Sequence, residues 1–359
     1  MTKIFSPAMA EALRLTQAGN LGDAMALIRA NLAGGAVTRP PTMPVDLRHE
    51  TTKPLPSSLR IASRPPTGTS NAPAPPAAGS FDRREFVGAS GRFSYRLYIP
   101  AGDTADMPLV VMLHGCTQSP EDFARGTGMN RLADEMGFLV AYPGQSQSAN
   151  AQKCWNWFRP GDQRRDSGEP ALIAGLTREI VTSHNADADR VYVAGLSAGG
   201  AAAAIMAKAY PDIFAAVGIH SGLACGAARD LPSALAAMRK GGSSRREKAP
   251  FVPVITFHGD ADKTVHQANS SQIVAASAAA HGSELQRRSE THVEGGRKVS
   301  RDRHVDRAGN ILIEQWTIHG AGHAWSGGDG SGSYADPNGP DASREMVRFF
   351  LGHRRKAAG

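Results

Sequence analysis

At 359 residues, 41% hydrophobic and 20% charged, the chain has the composition of a globular protein able to bury a large core in one or two domains. No apolar run approaches the ~20 residues of a membrane-spanning helix, so no membrane span is expected. The net charge of +7 comes from basic residues scattered through Arg239–Lys248, Arg287–Arg303 and His353–Lys356 with acidic residues interleaved. Without a recognition motif or stacking aromatics, that distribution argues for a solvated face and against nucleic acid as a partner.

Lys3, Glu11 and Arg14 interrupt the first fifteen residues, so no apolar secretory core is read there and a cytoplasmic location is expected. Residues 1–33 carry apolar positions at helical spacing in two short runs, split near Gly19 and Gly22, and read as a helical pair. A pair this small buries little alone and is expected to dock on a partner. Residues 34–80, with Pro65-Pro66 and Pro73-Ala-Pro-Pro76, read as a flexible Pro/Ser/Ala-rich linker. Globular sequence runs over 81–352, and 353–359 form a basic tail.

Within 81–352 the first strands are expected at Phe86–Val87 and Tyr95–Ile99 about a turn at Gly88–Gly91, then a buried strand at Leu109–Leu113. One helix is predicted over Pro120–Met136. Strand Phe138–Tyr142, helix Ala171–His184 and strand Arg190–Ala194 follow. Beyond an alanine-rich helix, Ala198–Lys208, come strands Ala215–Ile219 and Val252–Phe257, helix Gln267–Ala280, strand Ile311–Ile318 and helix Ala342–Leu351, with Asp341 as its cap. The stretch Leu223–Pro250 reads only as a region able to roof part of a site. Strands alternating with helices predict a mostly parallel α/β sheet with helices on both faces.

The chemistry concentrates where strands end. Val191-Tyr-Val-Ala-Gly-Leu-Ser-Ala-Gly-Gly200 joins an apolar strand to an alanine-rich helix through Gly195-Leu-Ser-Ala-Gly199, the pattern of a nucleophile elbow. Such a turn strains Ser197 and holds its hydroxyl clear of the sheet. Serine is a poor nucleophile alone and needs a base and an orienting acid, which follow it in chain order in sheets of this kind. The acid candidates are Asp260 and Asp262 in His258-Gly-Asp-Ala-Asp-Lys-Thr-Val265. Asp262 is preferred because it fits the HGxxDxxV arrangement, and Asp260 is expected to fix the turn through its own backbone. The base candidate is His323 in His319-Gly-Ala-Gly-His-Ala-Trp325, better placed than His319 at the start of that loop. Backbone N–H donors for an oxyanion are expected from Ala198 and from Cys116 or Thr117 in the loop after Leu113, with His114 bracing that loop.

Aromatics are only 6% of the chain, yet Trp155, Trp157 and Trp325 all fall in loops expected at the active face. They are candidate substrate-binding residues, with packing beneath the loops as the competing reading. A Cys116–Cys154 disulfide is conceivable, and two thiols are the alternative in a reducing compartment. No metal site or cofactor is read, and the Gly/Asp-rich stretch Gly327–Asp341 is taken as a loop.

On these motifs the chain resembles the polyhydroxybutyrate (PHB) depolymerase family of esterases. The matching segments are Leu113-His-Gly-Cys-Thr-Gln118, Cys154-Trp-Asn-Trp-Phe158, Gly195-Leu-Ser-Ala-Gly-Gly200, Gly322-His-Ala-Trp-Ser-Gly-Gly328 and Asp336-Pro-Asn-Gly-Pro-Asp-Ala-Ser343. The resemblance implies an α/β-hydrolase fold and a serine esterase, without cofactor, acting on hydroxyalkanoate polymers or oligomers. Feruloyl and acetylxylan esterases are similar too, so the implied chemistry is narrower than the implied substrate. Many members are secreted, which sets extracellular action beside the cytoplasmic expectation. A non-catalytic binding protein is the rival from another class, with residues 1–33 as its contact to a polymer granule or partner.

Overall fold

The computed structural model describes residues 79–242 and 250–355. The chain divides into two compact units, Met1–Pro75 and Pro76–Gly359, and every described element belongs to the second. The predicted helical pair at 1–33 and the linker as far as residue 78 lie outside the described residues.

The second unit opens with a hairpin, β1 (Ser80–Gly88) and β2 (Gly91–Ile99), and then a strand buried throughout, β3 (Leu109–Leu113). Two helices follow, α1 (Pro120–Thr127) and α2 (Met129–Met136), where a single helix is predicted. The break is Gly128, at φ 62°, whose N–H closes α1 on the carbonyl oxygens of Ala124 and Arg125. Next come β4 (Leu139–Gly144), α3 (Gly168–Ser183), β5 (Val191–Leu196), α4 (Ala198–Ala209) and β6 (Ala216–His220). The stretch left open in the sequence holds α5 (Leu231–Lys240), started by a capping box between Asp230 and Ser233. Then β7 (Val254–Gly259), α6 (Ala268–His281), β8 (Gln286–Glu294), β9 (Arg297–Val305) and β10 (Ile311–Ile318) complete the large sheet. The short strands β11 (Trp325–Ser326) and β12 (Ala335–Asp336) pair in parallel before α7 (Ala342–Leu351), which Asp341 caps through the Arg344 N–H at 2.9 Å.

The ten strands lie in the order β1-β2-β4-β3-β5-β6-β7-β10-β9-β8. From β4 to β10 the neighbours run parallel, and the hairpins β1–β2 and β8–β9 extend the two edges antiparallel. This is the α/β-hydrolase arrangement, with a core on each face of the sheet. Val191 and Val193 of β5 join the core under α3 and α4, while Tyr192 and Ala194 turn to the core under α1, α2 and α7. Being covered on both faces, β3, β5, β6 and β7 are buried throughout, and β3 and β5 read as continuous apolar runs.

The hairpin β8–β9 is where the sequence reading and the structure part. The segment Arg287–Arg303 reads as a solvated basic face, yet it forms two nine-residue strands. Charged side chains pair across it: Arg287 with Asp302 at 2.9 Å, Arg303 with Glu290 at 2.9 Å, and Arg301 over the Trp316 ring at 4.8 Å. Pairing and cation–π contact take the place of the apolar alternation that would have marked a strand.

Candidate active site

The parallel register brings the site together. Leu113 lies opposite Gly195, Leu196 opposite His220, His220 opposite Phe257, and Gly259 opposite Ile318. The segments that follow these strand ends therefore emerge at one edge of the sheet: 114–118 after β3, Ser197 after β5, 260–262 after β7 and 319–323 after β10.

Ser197 has φ 58° and ψ −118°, a conformation costly for a residue with a side chain. Its N–H donates to His220 O at 2.9 Å, and its hydroxyl makes no capping bond to α4 although it occupies the N-cap position. Small neighbours make the turn possible. A Cβ on Gly195 would collide with the Gly199 backbone, and one on Gly199 with the carbonyl oxygens of Leu113 and His114. The segment 113–114 thus packs directly on the elbow.

Asp262 and His323 form a pair, with His323 Nδ1 2.7 Å from Asp262 Oδ2. The carboxylate accepts, so Nδ1 carries the proton and Nε2 is left with its lone pair. The other Asp262 oxygen accepts from the N–H groups of Thr264 at 2.8 Å and Val265 at 2.9 Å. Burial pushes this carboxyl upward. The hydrogen bond and charge of His323, with the two backbone donors, outweigh it and hold Asp262 below its ordinary value. Asp260 behaves otherwise than expected. It accepts from Gly320 N at 2.7 Å and pairs with His319 Nδ1 at 2.8 Å, while His319 Nε2 meets Ser300 Oγ at 2.9 Å. Local turn fixing falls to Asp262, and Asp260 ties the start of the histidine loop to the β7 end.

Two buried histidines support the site, and sequence reasoning missed both roles. His220, which ends β6, accepts Ser326 N–H at Nε2 (3.1 Å) and stacks between Phe257 and Trp325. Burial first, then the nearby His258 and His323, lower it to about 3, so it stays neutral. His258 Nε2 donates to Val265 O at 2.7 Å and lies 3.5 Å from Asp262 Oδ2. Their signal was their place at the ends of apolar strands. His114 braces its loop as expected: Nδ1 donates to Gly115 O at 2.7 Å, Nε2 accepts Gln145 N–H at 3.1 Å, and burial lowers it to about 4.

The donors in the 114–118 loop are not equivalent. Thr117 N–H donates to Gln152 O at 2.7 Å, so it is committed elsewhere and the Thr117 expectation is corrected. Gln118 N–H closes a turn on Gly115 O at 3.4 Å, with Cys116 at the turn position whose own N–H takes no part in that closure. Gln118 itself is buried, accepting Gly115 N–H and donating to Ser333 O at 2.9 Å. Cys116 is joined to Cys154 in a disulfide, which binds this loop to the tryptophan-bearing segment.

The tryptophans do not form a mouth. Trp155, Trp157 and Trp325 are 0%, 6% and 1% exposed. The Trp155 indole N–H donates to His114 O at 3.0 Å and that of Trp325 to Ser343 Oγ at 3.0 Å. They are the packing beneath the loops, and the substrate-contact expectation is corrected for all three. Among the described residues no three His, Cys, Asp or Glu side chains are grouped to hold a metal ion, and no helix is long and apolar enough to cross a membrane.

The sheet order and these strand-end residues place the chain in the α/β-hydrolase class. A family model described as esterase PHB depolymerase matches residues 93–294, more than half of the sequence, and the chain belongs to that family. Poly(3-hydroxyalkanoate) depolymerase C of Paucimonas lemoignei is 34% identical over 251 residues, 66% of this chain and 59% of that protein. Feruloyl esterase B of Neurospora crassa is 34% identical over 128 residues, 35% of this chain and 43% of its own length. The chain thus spans roughly half the length of these curated relatives. An acetyl xylan esterase from Aspergillus awamori shares the fold with a TM-score of 0.58 at 18% identity, over 76% of this chain and all of that one.

Proposed function

We propose that the chain is a serine carboxylic ester hydrolase acting on 3-hydroxybutyrate polymers or oligomers. The observation that carries the reading is the strained Ser197 at the end of β5, on the same sheet edge as the hydrogen-bonded Asp262–His323 pair. Ser197 attacks the ester carbonyl as His323 Nε2 takes its proton. Asp262 keeps His323 in the tautomer that can accept it and stabilises the imidazolium. The N–H groups of Ala198 and Cys116 receive the oxyanion. His323 then passes its proton to the departing alcohol oxygen, and water hydrolyses the acyl-enzyme by the same relay.

Family membership and the named depolymerase relative support a hydroxyalkanoate substrate. The feruloyl esterase relative supports a second reading on the same residues, hydrolysis of feruloyl or acetyl esters of carbohydrate. The buried tryptophans argue for neither substrate, since none of the three is open to one. Acid release from amorphous polyhydroxybutyrate, hydroxybutyrate oligomers, methyl ferulate and acetylated xylan separates the readings, with Ser197→Ala as blank. Hydroxybutyrate release absent from the blank is the expected result. Ferulate or acetate release alone replaces the substrate, and full activity of Ser197→Ala defeats the mechanism. Residues 1–33 are assigned a granule or partner contact; running the same panel on a chain begun at residue 79 would then lose granule association and keep soluble-ester activity. The Cys116–Cys154 disulfide favours work in an oxidising compartment over the cytoplasm expected from sequence.

A further inference from the structure

The loop between His323 and α7 holds an aromatic side chain in an unusual state. Tyr334 has φ 53°, a left-handed conformation that a bulky L-residue adopts only at a cost. It is nevertheless 47% exposed, so packing of its own ring is not what compensates. The backbone around it is held from several sides. Tyr334 O accepts Trp325 N–H at 2.7 Å, and Ser333 is fixed by Asp122 of α1 through its N–H at 3.0 Å and its hydroxyl. Gln118 of the β3 loop holds Ser333 O. Below it, β11 and β12 pair, and Arg297 reaches Asp336 at 2.5 Å. The Gly327–Asp341 stretch, read from sequence as a plain loop, is therefore a firmly anchored mount that keeps one strained, solvent-facing ring in place. Strain maintained by surrounding structure at an exposed aromatic points to a function for that ring.

Its position says which function. The Tyr334 ring stands edge-on to the His323 imidazole, with centroids 6.5 Å apart and planes at 78°. Its hydroxyl lies 3.4 Å from Thr117 Oγ1, and Thr117 Oγ1 in turn donates to Cys116 O at 2.6 Å. Tyr334 thus spans from the histidine loop to the β3 loop. In the reaction proposed above, on which this inference rests, His323 hands its proton to the departing alcohol oxygen, so the alcohol half of the ester lies on the His323 side of the carbonyl. We infer that Tyr334 is the wall of the leaving-group subsite and a specificity-determining residue. Its ring face receives the aliphatic chain of the alcohol, in a hydroxyacid ester the first unit beyond the scissile bond.

Two ester series test this. One varies the acyl chain at constant alcohol (methyl acetate, propionate and butyrate). The other varies the alcohol at constant acyl group (butyrate esters of methanol and of methyl 3-hydroxybutyrate, read as butyrate release). Losing one aromatic contact corresponds to about twofold to tenfold in rate. Tyr334→Ala is expected to lower kcat/KM by that factor on the hydroxybutyrate-derived alcohol, with methyl butyrate and the acyl-length ratios changing far less. Deacylation, followed after a burst with p-nitrophenyl butyrate, should be unchanged because the alcohol has already left. Tyr334→Phe should keep the alcohol preference, since the ring face carries it. Tyr334→Gly should lose the preference with a melting temperature equal to or above the parent's, because glycine accepts the positive φ. An equal fall on every ester, or a shift in acyl-length preference, would overturn the assignment. Full butyrate release by Ser197→Ala would instead overturn the nucleophile, and with it the substrate orientation used here.

Discussion

Two aspartates two positions apart, Asp260 and Asp262, each hold a histidine from the loop after β10, yet their surroundings differ. Asp262 is 7% exposed, and its oxygens take one imidazole and two backbone N–H groups. Asp260 and His319 are each about one-third exposed, and their chain ends on Ser300 in mid-strand β9, where no strained turn lifts a hydroxyl from the backbone. Replacing Asp262 by Asn puts an amide where an acceptor is required and favours the wrong His323 tautomer. Asp262→Asn is therefore expected to lower kcat by roughly 10⁴-fold with little change in KM. Asp260→Asn should lower kcat far less, loosening the loop without changing the proton path. Steady-state kinetics of the two variants decides the matter, and a larger loss from Asp260→Asn would exchange their roles. At this scale the placement of the candidate residues was largely legible. Ser197 announced itself through glycines whose absent Cβ atoms are a local requirement. Asp262 and His323 followed from chain order after strands. Thr117 and the tryptophans were misjudged because their roles depend on partners distant in sequence, Gln152 for one and His114 and Ser343 for the others, which no local pattern records.

Between residue and fold stands the loop that carries the proposed Cys116 oxyanion donor. The contacts that hold the loop 114–118 include packing of 113–114 on Gly199, the Gln118 bridge to Ser333, the His114 bridge to Gln145, and the Cys116–Cys154 disulfide. Under the Cys154 segment, Glu169 accepts from Asn156 N at 2.8 Å, Asn156 Nδ2 at 2.6 Å and Gln145 Nε2 at 2.5 Å. The disulfide spans 38 residues, so in the chain-entropy picture its loss costs roughly 2–4 kcal/mol. Because one of its sulfurs sits on Cys116, whose N–H is the proposed oxyanion donor, its loss should also lower kcat. The double variant Cys116→Ser/Cys154→Ser is expected to show both an earlier denaturant midpoint and a reduced kcat. Thiol titration of the unreduced, unfolded parent should find a single titrating thiol, the cysteine outside the disulfide. Three titrating thiols, or a double variant equal to its parent in both measurements, would refute the brace. Strands were legible where burial made them uniformly apolar, β3 to its exact bounds and β5 to within two residues. Legibility failed in β8–β9, where cross-strand ion pairs replace apolar alternation, and at Gly128, where one left-handed residue divides a continuous helical pattern.

Across the whole molecule, buried histidines are one contribution to how stability follows pH. His114 and His220 are lowered by burial to about 4 and about 3, and burial lowers His258 as well. A lowered value means that unfolding takes up a proton at any pH between the folded and unfolded values. Their contribution is complete above about pH 6.5 and is lost as pH falls. Glu169 opposes them. Burial, and then the charge of Asp162, push it up to about 7 against its three donors, so its contribution is complete below the ordinary carboxyl value and lost as pH rises toward 7. At pH 5–6 unfolding thus takes up at most two protons on His114 and His220 and releases at most one from Glu169. The balance favours unfolding in acid by about 1.4 kcal/mol per pH unit for one net proton, and His258 acts in the same direction. The denaturation midpoint is accordingly expected to fall from pH 7 to pH 5, with the imidazole resonances of His114 and His220 still neutral in the folded protein. In Glu169→Gln the opposing proton is absent, so its midpoint should fall more steeply than the parent's over the same interval. A parent midpoint that rises toward pH 5 would mean that Glu169 outweighs the histidines. Equal slopes in parent and variant would mean that the three donors, rather than burial, govern the Glu169 carboxyl.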